Sequence, residues 1–387
     1  MNRAIKNIIS TFFVAILMVN PVFADNVDLE NTYKNYEYTK TQSIDDFISI
    51  FNNQFQIYNT FANRLWYDNA VVDKIIILHD IDTDRFFKFV KNEKFIELSD
   101  EEFNDFEIER ITRAGAFDIF KNDDISGMYI TTSNESLNNS ERWKIYTHLG
   151  TYDAILWFIH EGFHAWEQPR WNLTDGDIPN SARNEFLENT YVRAVRYQLT
   201  MQLLQALSDP ENQEQHILNA LATYSYFKEN FVEEHELSIY FDRLEGSAYF
   251  FEVMASLIIS NYEILIEDDC FESALFNIIT DFASTGHSAF SAYGLGLVSE
   301  GYTTSGFAAL LLERIGIHKW QQMIMEDAYL TPMQVLFNHF SQDNIEIPDM
   351  IQITDETLLY VKQSILSRYQ FLLQRQHDIL DLLGNYL

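Results

Sequence analysis

The sequence contains a closely spaced group of residues that could hold a metal ion, His160-Glu161-x-x-His164. The group lies in an apolar stretch, residues 155–166, that has the composition of a buried helix. On a helix, residues four apart share a face, so His160 and His164 can bind the same ion. Two neutral imidazoles suit Zn²⁺, and Glu161 beside them has the chemistry of a general base. Burying these three side chains without a purpose would be costly, so they predict a catalytic metal site.

A catalytic zinc site usually has three protein ligands, so the third ligand must come from another segment. The best candidate is Glu245, because the glycine that follows it would let its helix pass close to the metal helix. Glu185 and Glu188 are alternatives, since both follow the histidines at a distance that would let the chain return to the metal. Ligand histidines also need an acceptor for their second ring nitrogen, and Glu252, about two helical turns after Glu245, is a candidate.

Most of the chain after residue 140 has the periodicity of helices, whereas the part before it also contains short segments rich in β-branched residues. Strands are predicted at 71–79 and 127–133, and residues 85–90 should pair back on the first strand as a hairpin. Helices are predicted at 44–66, 147–167, 181–207, 210–231, 234–266, 304–315, from 332 onward, and 355–383. The predicted fold class is therefore α+β and predominantly α-helical, with a small N-terminal β part packed on a helical core.

The first 24 residues have the features of a secretory signal peptide. Arg3 and Lys6 give a basic start, residues 8–19 are apolar, and Ala24 is the small residue that precedes a cleavage site. We therefore expect export to the periplasm or the cell exterior, with Asp25 as the first residue of the mature chain. No membrane insertion is expected after the signal is removed.

The composition excludes several classes of partner and of fold. The formal net charge is −32 at pH 7, so nucleic acids and anionic membranes would repel the protein. One cysteine, Cys270, excludes an internal disulfide, and the core must stabilise the fold by itself. About 360 mature residues are enough for such a core. They divide into 25–140 and 141–387, or form one compact unit.

The metal motif resembles that of the gluzincins, which are zinc metallopeptidases with a third glutamate ligand on a later helix. Residues 245–250 are similar to the segment that carries this glutamate in several gluzincin families. Residues 302–320 resemble a helix found downstream of that site in bacterial zinc proteases. The resemblance implies that Zn²⁺ is bound by His160, His164 and Glu245.

The implied reaction is hydrolysis of a peptide bond, in a peptide or protein substrate, by a metal-activated water. Glu161 would take a proton from the water and pass it to the leaving amine. Tyr302 is the candidate donor to the oxyanion, and Tyr293 and His287 are alternatives, all in the loop expected after the third-ligand helix. The predicted strand at 127–133 would offer an open edge to an extended substrate.

Two main functions of different classes fit this sequence. The first is an exported zinc-dependent metallopeptidase, which the intact Glu161 favours. The second is an exported binding protein that keeps the metallopeptidase fold without turnover. Gly162 favours the second function, because a glycine in a helix interior costs about 1 kcal/mol and can indicate a relaxed site. A helical interaction protein with a chance motif is a third class.

Overall fold

The computed structural model describes residues 44–122, 125–134, 153–172, 187–267, 271–285, 295–317, 319–342 and 346–384. The fold is α+β and predominantly helical, with a small mixed sheet at the N-terminal side, which confirms the predicted fold class. The predicted signal peptide lies outside the described residues. Within them, no helix combines the length and the apolar character needed to cross a membrane.

The helices and strands are numbered in chain order. They are α1 (Ile44–Leu65), β1 (Ile75–Asp80), β2 (Arg85–Phe89), β3 (Ile96–Leu98), α2 (Asp100–Asn104), β4 (Phe117–Asn122), β5 (Ile125–Thr132), α3 (Asp153–Gly162), α4 (Thr190–Ser208), α5 (Gln213–Asn230), α6 (Val232–Ser260), α7 (Tyr262–Glu267), α8 (Phe271–Thr285), α9 (Leu297–Arg314), α10 (Trp320–Glu326), α11 (Pro332–Gln342) and α12 (Asp355–Gly384). Helix α3 continues as a π-helical turn, Phe163–Glu167, and a 3-10 turn, Gln168–Arg170.

The chain divides into two compact units, each made from two separate parts of the sequence. The first unit comprises the described residues of Met1–Trp171 together with Phe251–Ile278. The second comprises those of Asn172–Phe250 and Ile279–Leu387. Helix α6 therefore begins in the second unit and ends in the first.

The first unit is built on a five-stranded mixed sheet with the order β3-β2-β1-β5-β4. Strands β1 and β5 are parallel, and the other neighbours are antiparallel. Helix α1 buries aromatic side chains at spacings of three and four, and Phe51 and Phe55 pack against Phe89 of β2. This pattern forms an amphipathic helix on the sheet, as the sequence predicted.

Two expectations about the strands need correction. The strand predicted at 71–79 begins at Ile75, because Asp73 has a φ of 69° that interrupts an extended chain. The strand predicted at 127–133 is β5, which pairs with β1 on one side and β4 on the other. The expected open edge on β5 was therefore wrong, and β3 and β4 are the edges among the described strands.

The second unit is helical in its described residues, and two helix predictions were wrong. The start predicted at residue 181 lies outside the described residues, but an unbroken helix from there to 207 was wrong, because Leu187 and Glu188 form a turn. Helix α4 begins at Thr190, and the Asn189 side chain accepts a hydrogen bond from the Val192 amide. The helix predicted at 304–315 is α9, which begins at Leu297. By contrast, α11 begins at Pro332 as expected, with the Thr331 hydroxyl accepting from the Gln334 amide.

Candidate metal centre

Helix α3 positions the histidine motif, and it is buried over its whole apolar part. Residues Ile155 to Ile159 are each at most 3% exposed. The ring of Phe158 packs edge-on against Phe55 and Tyr58 of α1, with centroids 5.7 Å and 5.9 Å away. Packing on α1 fixes the rotation of α3, and it therefore fixes the direction in which the motif side chains point.

The C-terminal end of this helix is held by a buried carboxylate, Glu167. It accepts hydrogen bonds from the Ala70 amide at 2.9 Å and from the Trp171 indole at 3.2 Å. Arg170 donates to it at 3.1 Å and pairs with Asp68. Burial raises the pKa of Glu167, while these donors oppose the rise. The π-helical turn that contains His164 is thus fastened to the segment before β1.

His160 is buried and lies against a carboxylate from the C-terminal part of α6. Its Nδ1 atom is 2.8 Å from Oε2 of Glu252, and both side chains are at most 6% exposed. This contact turns Nδ1 toward an acceptor and leaves Nε2 facing His164. The sequence had proposed Glu252 as such a partner, and the structure places it there.

His164 is held in the same way by a neutral group one turn further along. Its Nδ1 atom lies 2.7 Å from Oε1 of Gln168, which follows the π-helical turn. An amide oxygen is an acceptor, so Nδ1 of His164 also faces an acceptor. A neutral imidazole with its proton on Nδ1 has its lone pair at Nε2, and this is the form that binds metals.

The two Nε2 atoms face each other at 3.1 Å. At this distance an Nε2–H of one ring can donate to the lone pair of the other, and the tautomer decides which ring donates. Nitrogens bound to one tetrahedral Zn²⁺ at usual bond lengths are about 3.3 Å apart. Glu245 belongs to the same cluster. One ligand atom from each of His160, His164 and Glu245 lies within 4.8 Å of the other two. Two imidazoles and a carboxylate are a donor set that suits Zn²⁺.

The predicted general base also lies on α3. Glu161 follows His160 directly and is 7% exposed. A Cβ atom on the next residue, Gly162, would lie 2.7 Å from the Trp166 ring and 3.2 Å from Val71. The glycine thus makes room for neighbouring side chains of its own unit. The observation that had favoured a relaxed, inactive site has a packing explanation.

The glycine after Glu245 lies close to α9. A Cβ on Gly246 would lie 2.3 Å from Cβ of Ser305 and 2.9 Å from the Gly301 carbonyl oxygen, both on α9. The expectation that this glycine lets α6 pass close to the metal helix stays a prediction. The glycine makes room for α9, against which the second unit packs its part of α6.

The other proposed site residues lie elsewhere or outside the described residues. Glu188 is exposed, in a turn, and its carboxylate accepts from the Tyr369 hydroxyl at 3.3 Å. Tyr302 lies inside α9, buried with its ring 6.1 Å from that of Tyr249, so the expected loop position was wrong. Its role as an oxyanion donor stays a prediction. The three remaining candidates fall outside the described residues: Glu185, His287 and Tyr293.

Gln168 is the contact that the sequence reasoning missed. It lies four residues after His164, the same spacing that separates the two histidines. That spacing was a usable signal, but Pro169 led us to end the helix at Glu167. The 3-10 turn carries the helical path past that point, with Pro169 in its first turn, where proline is tolerated.

A scan against models of protein families found no match, and neither did searches of the curated proteins and of the solved structures. The gluzincin resemblance therefore depends on the motif residues alone.

Proposed function

We propose that the protein is a zinc-dependent hydrolase of the metallopeptidase type. The observation that carries the proposal is the convergence of the two Nε2 atoms at 3.1 Å, with both Nδ1 atoms facing acceptors. One carboxylate oxygen of Glu245 and one ring nitrogen of each histidine lie within 4.8 Å of one another. These residues would hold Zn²⁺, which supplies Lewis acidity and makes water nucleophilic near neutral pH.

The reaction assigned to the chain's own residues is proton transfer during hydrolysis. Glu161 would accept a proton from the attacking water and deliver it to the leaving amine. A peptide bond is proposed as the scissile bond, since the His-Glu-x-x-His motif and the segment at 245–250 resemble those of metallopeptidases. Export through the segment at 1–24 is part of the same proposal.

The test compares the wild-type chain with the Glu161→Gln variant, both loaded with zinc, on a library of fluorescence-quenched peptides. We expect cleavage by the wild type and a loss of about 10²–10⁴-fold in the variant, because the glutamine cannot accept the proton. Zinc content should be equal in the two proteins, since Glu161 is not a proposed ligand. Equal cleavage by both would remove Glu161 from the mechanism. Full zinc loading without cleavage of any peptide would favour the binding-protein alternative.

A further inference from the structure

The two histidines of the centre are held by acceptors of different charge. Glu252 places a carboxylate oxygen 2.8 Å from Nδ1 of His160, whereas Gln168 places a neutral amide oxygen 2.7 Å from Nδ1 of His164. Both acceptors are at most 6% exposed, so water screens neither contact. The two distances are nearly equal, and the two acceptors differ in charge.

This difference changes the strength of each ring as a ligand. A carboxylate that accepts from Nδ1–H draws the proton toward itself and leaves the imidazole richer in electrons. His160 should therefore donate electron density from Nε2 to a metal ion more strongly. An amide oxygen polarises the Nδ1–H bond less, so His164 should be the weaker metal ligand of the two.

A neutral acceptor at position 168 also limits the buried negative charge. Glu161, Glu245 and Glu252 are already between 4% and 7% exposed. A carboxylate at 168 would add a fourth charge, which is costly to bury in the metal-free protein. That cost would fall when a divalent cation binds, so the same carboxylate would strengthen metal binding.

We propose that Glu252 and Gln168 are positioning residues that set the metal affinity of this centre in opposite directions. Glu252 strengthens the binding of zinc, and Gln168 keeps the affinity below that of a site with two carboxylate acceptors. The inference rests on the proposed metal centre. It goes beyond that centre because it explains why one histidine faces a charged acceptor and the other a neutral one.

The experiment measures the zinc dissociation constant of the full chain by competition with a chromophoric chelator. Glu252→Gln removes a negative charge and Gln168→Glu adds one, each with almost no change in shape. The double variant moves the charge from position 252 to position 168. We expect Glu252→Gln to bind zinc about 10–100-fold more weakly and Gln168→Glu about tenfold more tightly. The double variant should return toward the wild-type value.

The matched control is Glu233→Gln, an exposed position on the same helix as Glu252, which should leave the dissociation constant unchanged. Tighter binding by Gln168→Glu is the decisive outcome, because a residue with a merely structural role would not gain affinity on substitution. This variant also keeps the test valid if Glu252→Gln fails to fold. Equal dissociation constants in the wild type and both single variants would overturn the inference and leave the proposed function standing. Absence of zinc binding by the wild type would overturn both.

Discussion

The imidazole rings of His160 and His164 show how single residues prepare the centre. Each ring has its Nδ1 atom within 2.8 Å of an oxygen acceptor, so Nε2 is the nitrogen that faces the partner ring. The motif alone predicts that the histidines share a face. The acceptors orient each ring so that Nε2 faces the space between the rings, which is the orientation that the proposed metal site requires.

Gly162 provides a prediction at the same scale. Gly162→Ala should lower the free energy of unfolding by about 1 kcal/mol, because overpacking against Trp166 outweighs the higher helix propensity of alanine. Chemical denaturation of the two proteins measures the difference.

The control for this prediction is the same substitution in a Trp166→Leu background. There the ring is absent, and Gly162→Ala should become neutral or stabilising. A gain of about 1 kcal/mol from Gly162→Ala in the wild-type background would contradict the packing explanation, since helix propensity alone predicts that gain.

At the scale of elements, buried ion pairs fasten the second-unit part of α6, the helix that carries Glu245. Asp242 of α6 accepts two hydrogen bonds from Arg196 of α4, at 3.0 Å and 2.5 Å. Arg193 of the same helix pairs with Glu234 of α6 and Glu300 of α9. Burial raises the pKa of Asp242, and Arg196 opposes the rise. The pairs hold α6 in a defined register against its neighbours.

Arg196→Met should destabilise the protein by about 3–5 kcal/mol, because it leaves the buried Asp242 carboxylate without its main partner. Adding Asp242→Leu should recover most of this loss, since the uncompensated charge is removed. Thermal or denaturant unfolding of the single and double variants measures the effect. A double variant that is as unstable as Arg196→Met would mean that the pair does not act as a unit.

The sequence could predict those elements whose signal is local. Helix α1 and the β1–β2 hairpin were predicted because their apolar spacing is visible within a few residues. The edge of the sheet was not predicted, because β4 lacks a clear alternation of apolar and polar residues. Its pairing with β5 is tertiary structure, which local sequence does not indicate. Gln168 was missed for a related reason, since Pro169 is a helix breaker in most contexts but falls within a 3-10 turn here.

At the scale of the whole molecule, the course of the chain could not be predicted from composition. The sequence offered a division near residue 140, where strands give way to helices. Periodicity reports local structure, and it contains no information on which elements share a core. Helix α6 passes from the second unit to the first without a break in its helical pattern, so no sequence signal indicates the change at Phe250–Phe251.

The central claim is that His160, His164 and Glu245 bind one zinc ion. Anomalous X-ray diffraction at the zinc edge, from crystals of the zinc-loaded chain, tests it most directly. We predict one peak bonded to Nε2 of both histidines and to a carboxylate oxygen of Glu245, with bond lengths of about 2.0–2.2 Å. A zinc-loaded crystal with no peak at these three side chains, or with the ion bound by other residues, would contradict the account.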